Sequence, residues 1–210
     1  MDIRKYFIVE PVNNKKKETN DSSITNYSSI SVDSNKTNKT NKNSYIIYTD
    51  GSAFNNGKKN KQQYGGIGVY FENNEFEHIS EKLYGKITNN IAELKACIKG
   101  IETIVYSDNY DSNRNIIIYS DSEYVIKSIT KWCKSWERND WKKYSNKRFI
   151  DIKNKDLVKE LYGLYKKYDF SMKHVNSHQS EPDTSSKDYK IWYGNMMADK
   201  LAVKASKNYK

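Results

Sequence analysis

The chain has 210 residues, room for one domain and a tail, with 36 Lys and Arg against 26 Asp and Glu and a formal net charge of +10. No apolar run is long enough to span a bilayer as a helix, Met1-Asp2-Ile3-Arg4-Lys5 leads into no signal-peptide stretch, and two cysteines supply neither a disulfide framework nor a zinc site. A helical membrane protein and a secreted disulfide scaffold are thereby excluded, a soluble intracellular protein is expected, and the positive charge suits a polyanionic partner.

Residues 1–43 are dominated by Asn, Ser, Thr and Lys and are poor in large apolar side chains. They cannot offset the entropy of ordering, so a disordered tail is expected there and a folded domain over 44–210. Strands are predicted at Tyr45 to Thr49, Gly66 to Phe71 and Phe76 to Tyr84. A helix follows from Asn89 to Tyr106, with Ile91, Leu94, Ile98, Ile101 and Val105 at helical spacing. A strand at Asn115 to Tyr119 precedes helices from Ser122 to about Glu137 with a break inside. A basic protrusion covers about 127–153. Asn154 is predicted to cap a helix through Tyr168, a fifth strand runs from Ser171 to Val175, and a last helix starts near Asn195. The order gives an α/β fold with a five-stranded mixed sheet, three antiparallel strands first, flanked by helices. Cys97 and Cys133 read as partly buried thiols in a reducing compartment.

Four acidic residues stand at the ends or on the inner faces of these elements. Asp50 closes the first strand in Tyr-Thr-Asp-Gly-Ser, and Asp121 closes the fourth in Tyr-Ser-Asp-Ser-Glu. Glu93, in Asn-Asn-Ile-Ala-Glu-Leu, and Asp199, in Gly-Asn-Met-Met-Ala-Asp, are each read one turn into a helix. One Asp-Gly is chiefly a turn signal. Four carboxylates in this order can converge on divalent metal, and the chemistry that wants four is two-metal phosphoryl transfer.

These residues and the elements between them resemble ribonuclease H of type 1 from about Ser44 to the C-terminus. The resemblance implies the ribonuclease H-like fold and an endoribonuclease that hydrolyses the RNA strand of RNA/DNA hybrids, leaving 5′-phosphate and 3′-hydroxyl ends. Removal of RNA primers or R-loops during DNA replication would be its role. It further implies two Mg²⁺ ions, with Mn²⁺ as a substitute. Asp50 would bridge both ions, Asp199 would complete the one that binds the attacking water, and Glu93 and Asp121 would complete the one near the leaving oxygen. His178, in His-Val-Asn-Ser-His, falls where the family has a mobile histidine that assists proton transfer and product release. His174 is the neighbouring candidate, and its place in the strand alternation suggests a structural role. The 177–194 loop departs from the family pattern, being roughly ten residues longer, with Trp192 and Tyr193 as its anchors.

From Lys127 to Arg148 eight basic residues face only Glu137 and Asp140, and Trp132, Trp136 and Trp141 recur at helical or near-helical spacing. The tryptophans either pack a helix onto the sheet or, with the basic side chains, form a nucleic-acid platform. The resemblance implies the second, with Trp132 and Tyr124 along the deoxyriboses of the DNA strand. It also implies that Lys86, Thr88 and Asn154 grip a phosphate of that strand; the family often has Arg at the first position, and Lys lacks its bidentate geometry. Asn56, Asn89 and Asn90 would meet RNA hydroxyls, the groups that separate RNA from DNA, and turn or capping chemistry is compatible with that task.

Ile3, Tyr6 and Phe7 resemble the peptide by which replication proteins bind the sliding clamp, without its usual leading Gln. One helical turn would seat them in an apolar groove. No N-terminal hybrid-binding domain of the family's kind is expected, and a clamp tether would supply its effective concentration. Lys15, Lys16 and Lys17 read as a solvated run. A monomer is expected. A non-catalytic hybrid binder would share the basic protrusion but would not need four carboxylates. Another nuclease or integrase of the superfamily would keep the carboxylates, yet the Trp-bearing protrusion fits hybrid binding better.

Overall fold

The structure is a computed structural model that describes residues 44–55, 63–177 and 179–207. Strands β1 (Ser44–Phe54), β2 (Tyr64–Phe71) and β3 (Ile79–Tyr84) form an antiparallel meander, with Asp50 opposite Gly68. The chain then crosses through α1 (Asn89–Val105) to β4 (Asn115–Ser120), which lies parallel to β1 in a register that pairs Thr49 with Ser120. Strand β7 (Ser171–His174) adds in parallel to β4, and the sheet order is β3-β2-β1-β4-β7. This is the expected five-stranded mixed sheet. Strand β3 starts at Ile79 rather than Phe76, because Phe76 turns inward onto Tyr45 and Phe71 instead of extending the ladder.

Alternation along β1 and β2 assigns the two faces of the sheet. Ile47, Thr49 and Val69 point at Gly100 of α1, and a continuous core with Leu94, Ile101, Ile118, Val125 and Leu161 fills that side. Tyr48, Gly66 and Gly68 point the other way, onto α5 (Lys187–Lys207), whose Gly194, Ala198, Ala202 and Ala205 are small enough to lie directly on the strands. Thr88 caps α1, its Oγ1 accepting from Ile91 N at 3.3 Å.

After β4, Ser122 caps α2 (Glu123–Lys127) through a 3.4 Å bond from Val125 N. The break expected before Glu137 is a π-helical turn, Ser128–Trp132, which runs into α3 (Cys133–Arg138). Both cysteines are fully buried rather than partly. Next comes a two-stranded hairpin, β5 (Lys142–Ser145) with β6 (Arg148–Asp151), an element the sequence did not announce. Neither strand has a buried residue, and so the hairpin lacks the apolar stripe that reveals a buried strand. Asn154 does precede α4 (Lys155–Tyr168), but its backbone is left-handed (φ 55°) and its side chain makes no capping bond.

Helix α5 begins at Lys187, about two turns before the expected Asn195. Ser186 starts it, its Oγ accepting from Asp188 N at 3.2 Å. Tyr189, Trp192, Tyr193 and Met196 already stand at helical spacing. Asp199 therefore lies well inside the helix, not one turn from its start. No helix among the described residues is long and apolar enough to cross a membrane.

Candidate active site

Asp50 does not close β1, which runs on to Phe54 against β2, but it stands where the parallel pairing with β4 ends, and Asp121 follows β4, so the two are neighbours because Thr49 and Ser120 are register partners. Strand pairing thus delivers two carboxylates side by side, about 5 Å apart along the sheet. Glu93 arrives from α1 because position 51 is glycine. A Cβ there would collide with Glu93 N and with Ala92, so only glycine lets the helix lie this close to the strand. The result is a cluster in which one carboxylate oxygen from each of Asp50, Glu93 and Asp121 lies within 4.8 Å of the other two.

The fourth carboxylate is brought by the opposite helix. Gly68, across from Asp50, lies under the backbone of Ala198 and Ala202, so α5 rests on the strand and carries Asp199 to the same sheet end. Asp199 itself is exposed. It shares a cleft of about 130 Å³ with Asp121, lined also by Asn176, Ser177, Gln179, Trp192, Asn195 and Met196. Of these, Trp192 and Asn195 escaped sequence reasoning as site residues, although they share a face of α5 with Asp199 at i, i+3 and i+7.

The metal-free electrostatics are those of a site built for positive charge. Burial, with the Asp121 and Asp199 charges, pushes the Asp50 carboxyl up to about 7. Burial and the charges of Asp50 and Asp121 hold Glu93 well above the ordinary carboxylate range. Glu93 is 8% exposed, and its buried Oε2 has no hydrogen-bond partner. An orphaned, buried carboxylate oxygen facing two other carboxylates is costly unless a cation takes it up. The all-oxygen donor set fits a hard divalent ion. Below the cluster, Thr49 Oγ1 lies 3.2 Å from Cys97 Sγ.

The remaining sequence candidates divide. Lys86, Asn89 and Asn90 are exposed around the start of α1, and Thr88 between them is its cap. Tyr124 and Asn154 touch: Asn154 Nδ2 donates to Tyr124 Oη at 3.5 Å, and Tyr124 donates to the Lys153 carbonyl at 3.3 Å. Trp132 is 39% exposed and tilts against Trp136 at 5.5 Å, whereas Trp136 and Trp141 rest on the core. The packing reading therefore holds for two of the three tryptophans. His174 is exposed at the end of β7, paired in register with Ser120, and not packed into the core. Trp192 anchors the extended loop by donating from Nε1 to the Gln179 carbonyl at 3.1 Å, and Tyr193 meets Tyr70 edge to face. His178, Asn56, Ile3, Tyr6 and Phe7 lie outside the described residues.

Comparison with known proteins agrees with this geometry. The RNase H family model matches residues 42–207. A ribonuclease H of Schizosaccharomyces pombe is 35% identical over 158 residues, covering 75% of this chain and 51% of that protein. The Clostridium botulinum ribonuclease H is 34% identical over 161 residues, covering 76% of this chain and 93% of its own. The RNase H domain of prototype foamy virus superposes with a TM-score of 0.57 at 24% identity, over 78% of this chain and 95% of that domain. The chain spans about half the length of the first curated relatives it matches, the S. pombe protein among them. A family match over most of the chain, on a sheet that gathers Asp50, Glu93 and Asp121 with Asp199 on the adjoining cleft, identifies this protein as a member of the ribonuclease H family, type 1.

Proposed function

We propose that the chain is an endoribonuclease that hydrolyses the RNA strand of RNA/DNA hybrids with two bound Mg²⁺ ions, leaving 5′-phosphate and 3′-hydroxyl ends. The observation that carries this reading is the convergence of Asp50, Glu93 and Asp121 within 4.8 Å, with Asp199 on the adjoining cleft. The relatives' shared name, ribonuclease H, supplies the substrate class.

Asp50 feels the charges of both Asp121 and Asp199 and touches the Glu93 cluster, and it would be the carboxylate shared by the two ions. Glu93 and Asp121 would hold the ion at the leaving oxygen, and Asp199 the ion at the attacking water. Magnesium at such a site lowers the pKa of its water and neutralises charge on the leaving alkoxide. The chain's own task is to hold the scissile phosphate against the cluster. We assign Asn56, Asn89 and Asn90 to hydroxyls of the RNA strand. Lys86, Thr88, Tyr124, Trp132 and Asn154 are assigned to the DNA strand, and His178 to proton transfer and product release. Primer or R-loop removal, and a clamp tether through Ile3, Tyr6 and Phe7, belong to the same reading.

The test is an Mg²⁺-dependent cleavage assay on four substrates: RNA/DNA hybrid, duplex RNA, duplex DNA, and duplex DNA containing one ribonucleotide. Cleavage of the hybrid's RNA strand is expected, abolished by Asp50→Asn with hybrid binding largely kept. Near-normal turnover by Asp50→Asn, or cleavage of duplex DNA alone, would overturn the assignment.

A further inference from the structure

The β5–β6 hairpin exposes two large aromatic side chains that the catalytic reading does not use. Tyr144 and Phe149 are direct cross-strand partners, 67% and 57% exposed, with their rings edge to face at 5.4 Å. A cross-strand aromatic pair helps an isolated two-stranded hairpin to hold together, which accounts for their opposition. It does not account for the company they keep. The hairpin carries Lys142, Lys143, Lys147 and Arg148 against Asp151 alone. Lys142 and Asp151 are engaged by Asp140 and Lys155. Among the described residues, Lys143, Lys147 and Arg148 enter no ion pair.

The turn that presents them is tight. Asn146 and Lys147 are both left-handed, with φ of 50° and 61°, the conformation of the two central residues of a type I′ turn. The hairpin is also fixed at its base. Trp141 N donates to the Trp136 carbonyl at 2.7 Å, Ile152 N donates to the Trp141 carbonyl at 3.2 Å, and the Trp141 ring lies on the core. Lys143 and Arg148 belong to the register pairs on either side of the rings and so leave the opposite face, whereas Lys147 stands in the turn. Exposed aromatic faces with an unneutralised lysine at the turn are the elements of a sequence-tolerant platform for single-stranded nucleic acid, where rings stack on bases and cations meet phosphates.

We infer that the β5–β6 hairpin binds single-stranded DNA continuing from the DNA strand of a hybrid, with Tyr144 and Phe149, on one face of the hairpin, stacking on unpaired bases and Lys147 of the turn against a phosphate. The choice of DNA rests on the proposed function, which assigns the DNA strand to Trp132 on this same protrusion and to Tyr124 and Asn154 at its two ends. The enzyme would then favour hybrids that end in a single-stranded DNA extension over blunt ones.

Fluorescence anisotropy of the full-length chain in EDTA tests this, using one hybrid prepared blunt or with a single-stranded DNA, single-stranded RNA or duplex DNA extension. The single-stranded DNA extension is expected to tighten binding about tenfold relative to the blunt hybrid, the scale of one or two stacked bases. Tyr144→Ala/Phe149→Ala should bring that ratio close to one. Tyr144→Val/Phe149→Val, which preserves strand propensity without a ring, should do the same, so that loss of the hairpin is separated from loss of stacking. No gain from the extension, a gain that survives the valine variant, or an equal gain from RNA or duplex extensions would overturn the inference. A wild-type chain that cleaves blunt hybrid yet gains nothing from the extension keeps the proposed function and loses this inference alone. Failure to cleave any hybrid counts against the catalytic reading and leaves the binding ratio to be judged by itself.

Discussion

Gly68 of β2 lies directly beneath the carbonyl of Ala198, the residue before Asp199, and a Cβ on Gly68 would also meet Ala202 N at 2.6 Å. The clash is with helix backbone, which cannot swing aside as a side chain can. Gly68→Ala should therefore lift α5 from the sheet and displace Asp199 from the other carboxylates. A loss of about 2–3 kcal/mol in urea denaturation is expected, with cleavage falling further than stability explains. A variant of wild-type stability and turnover would show that this contact does not position Asp199.

Removal of metal should make stability depend on pH in a characteristic direction. Asp50 ionises near 3.8 when unperturbed and near 7 in the folded, metal-free protein, so the folded state binds its proton more tightly. The stability this provides is complete below about pH 4 and is lost as pH rises through 7, and Glu93 acts in the same direction. In EDTA, Asp50→Asn should exceed the wild type in stability at pH 8 by an amount on the order of a few kcal/mol, with the difference shrinking toward pH 5. Added Mg²⁺ should stabilise the wild type at pH 8 and release protons on binding. A pH-independent difference between the two proteins would count against a strained carboxylate cluster.

Trp132 and Trp136 touch each other yet should respond differently to truncation. Trp132 is 39% exposed, so Trp132→Ala should weaken hybrid binding by about 1–3 kcal/mol with little change in melting temperature. Trp136 packs on the core, so Trp136→Ala should cost about 2–3 kcal/mol of stability. Anisotropy and thermal denaturation of the two variants separate the roles, and the reverse pattern would exchange them.

Asn154 holds a left-handed backbone while its side chain reaches Tyr124. Asn154→Gly should leave stability nearly unchanged, whereas Asn154→Ala should lose about 1 kcal/mol from backbone strain. Both should weaken hybrid binding alike, because both release Tyr124. Equal stability of the two variants in urea would remove the strain argument.

Several features were legible because they are local. The apolar runs of β1 and β4 and the 3.6-residue spacing in α1 each report one element's burial; the caps at Thr88 and Ser122 did not stand out, and the one expected at Asn154 makes no capping bond. Other features were not. The β5–β6 hairpin exposes its large residues, so it gives no apolar stripe. Helix α5 starts earlier than the expected Asn195 because its first two turns replace part of the expected 177–194 loop, although Tyr189, Trp192, Tyr193 and Met196 carry helical spacing. The break before Glu137 was visible, but its π-helical form was not.

The sequence by itself determined the kind of chemistry to expect, since four carboxylates in that order, beside a basic Trp-bearing segment, suit hard-cation catalysis on a polyanion. Only the tertiary structure decided that Asp50, Glu93 and Asp121 meet within 4.8 Å. It also decided that Asp199 stays exposed on the adjoining cleft, and that Trp136 and Trp141 serve the core while Trp132 faces solvent. The physical reason is range. Periodicity reports which face of one element is buried, whereas convergence depends on strand order and on backbone contacts at Gly51 and Gly68, made between segments far apart in the chain.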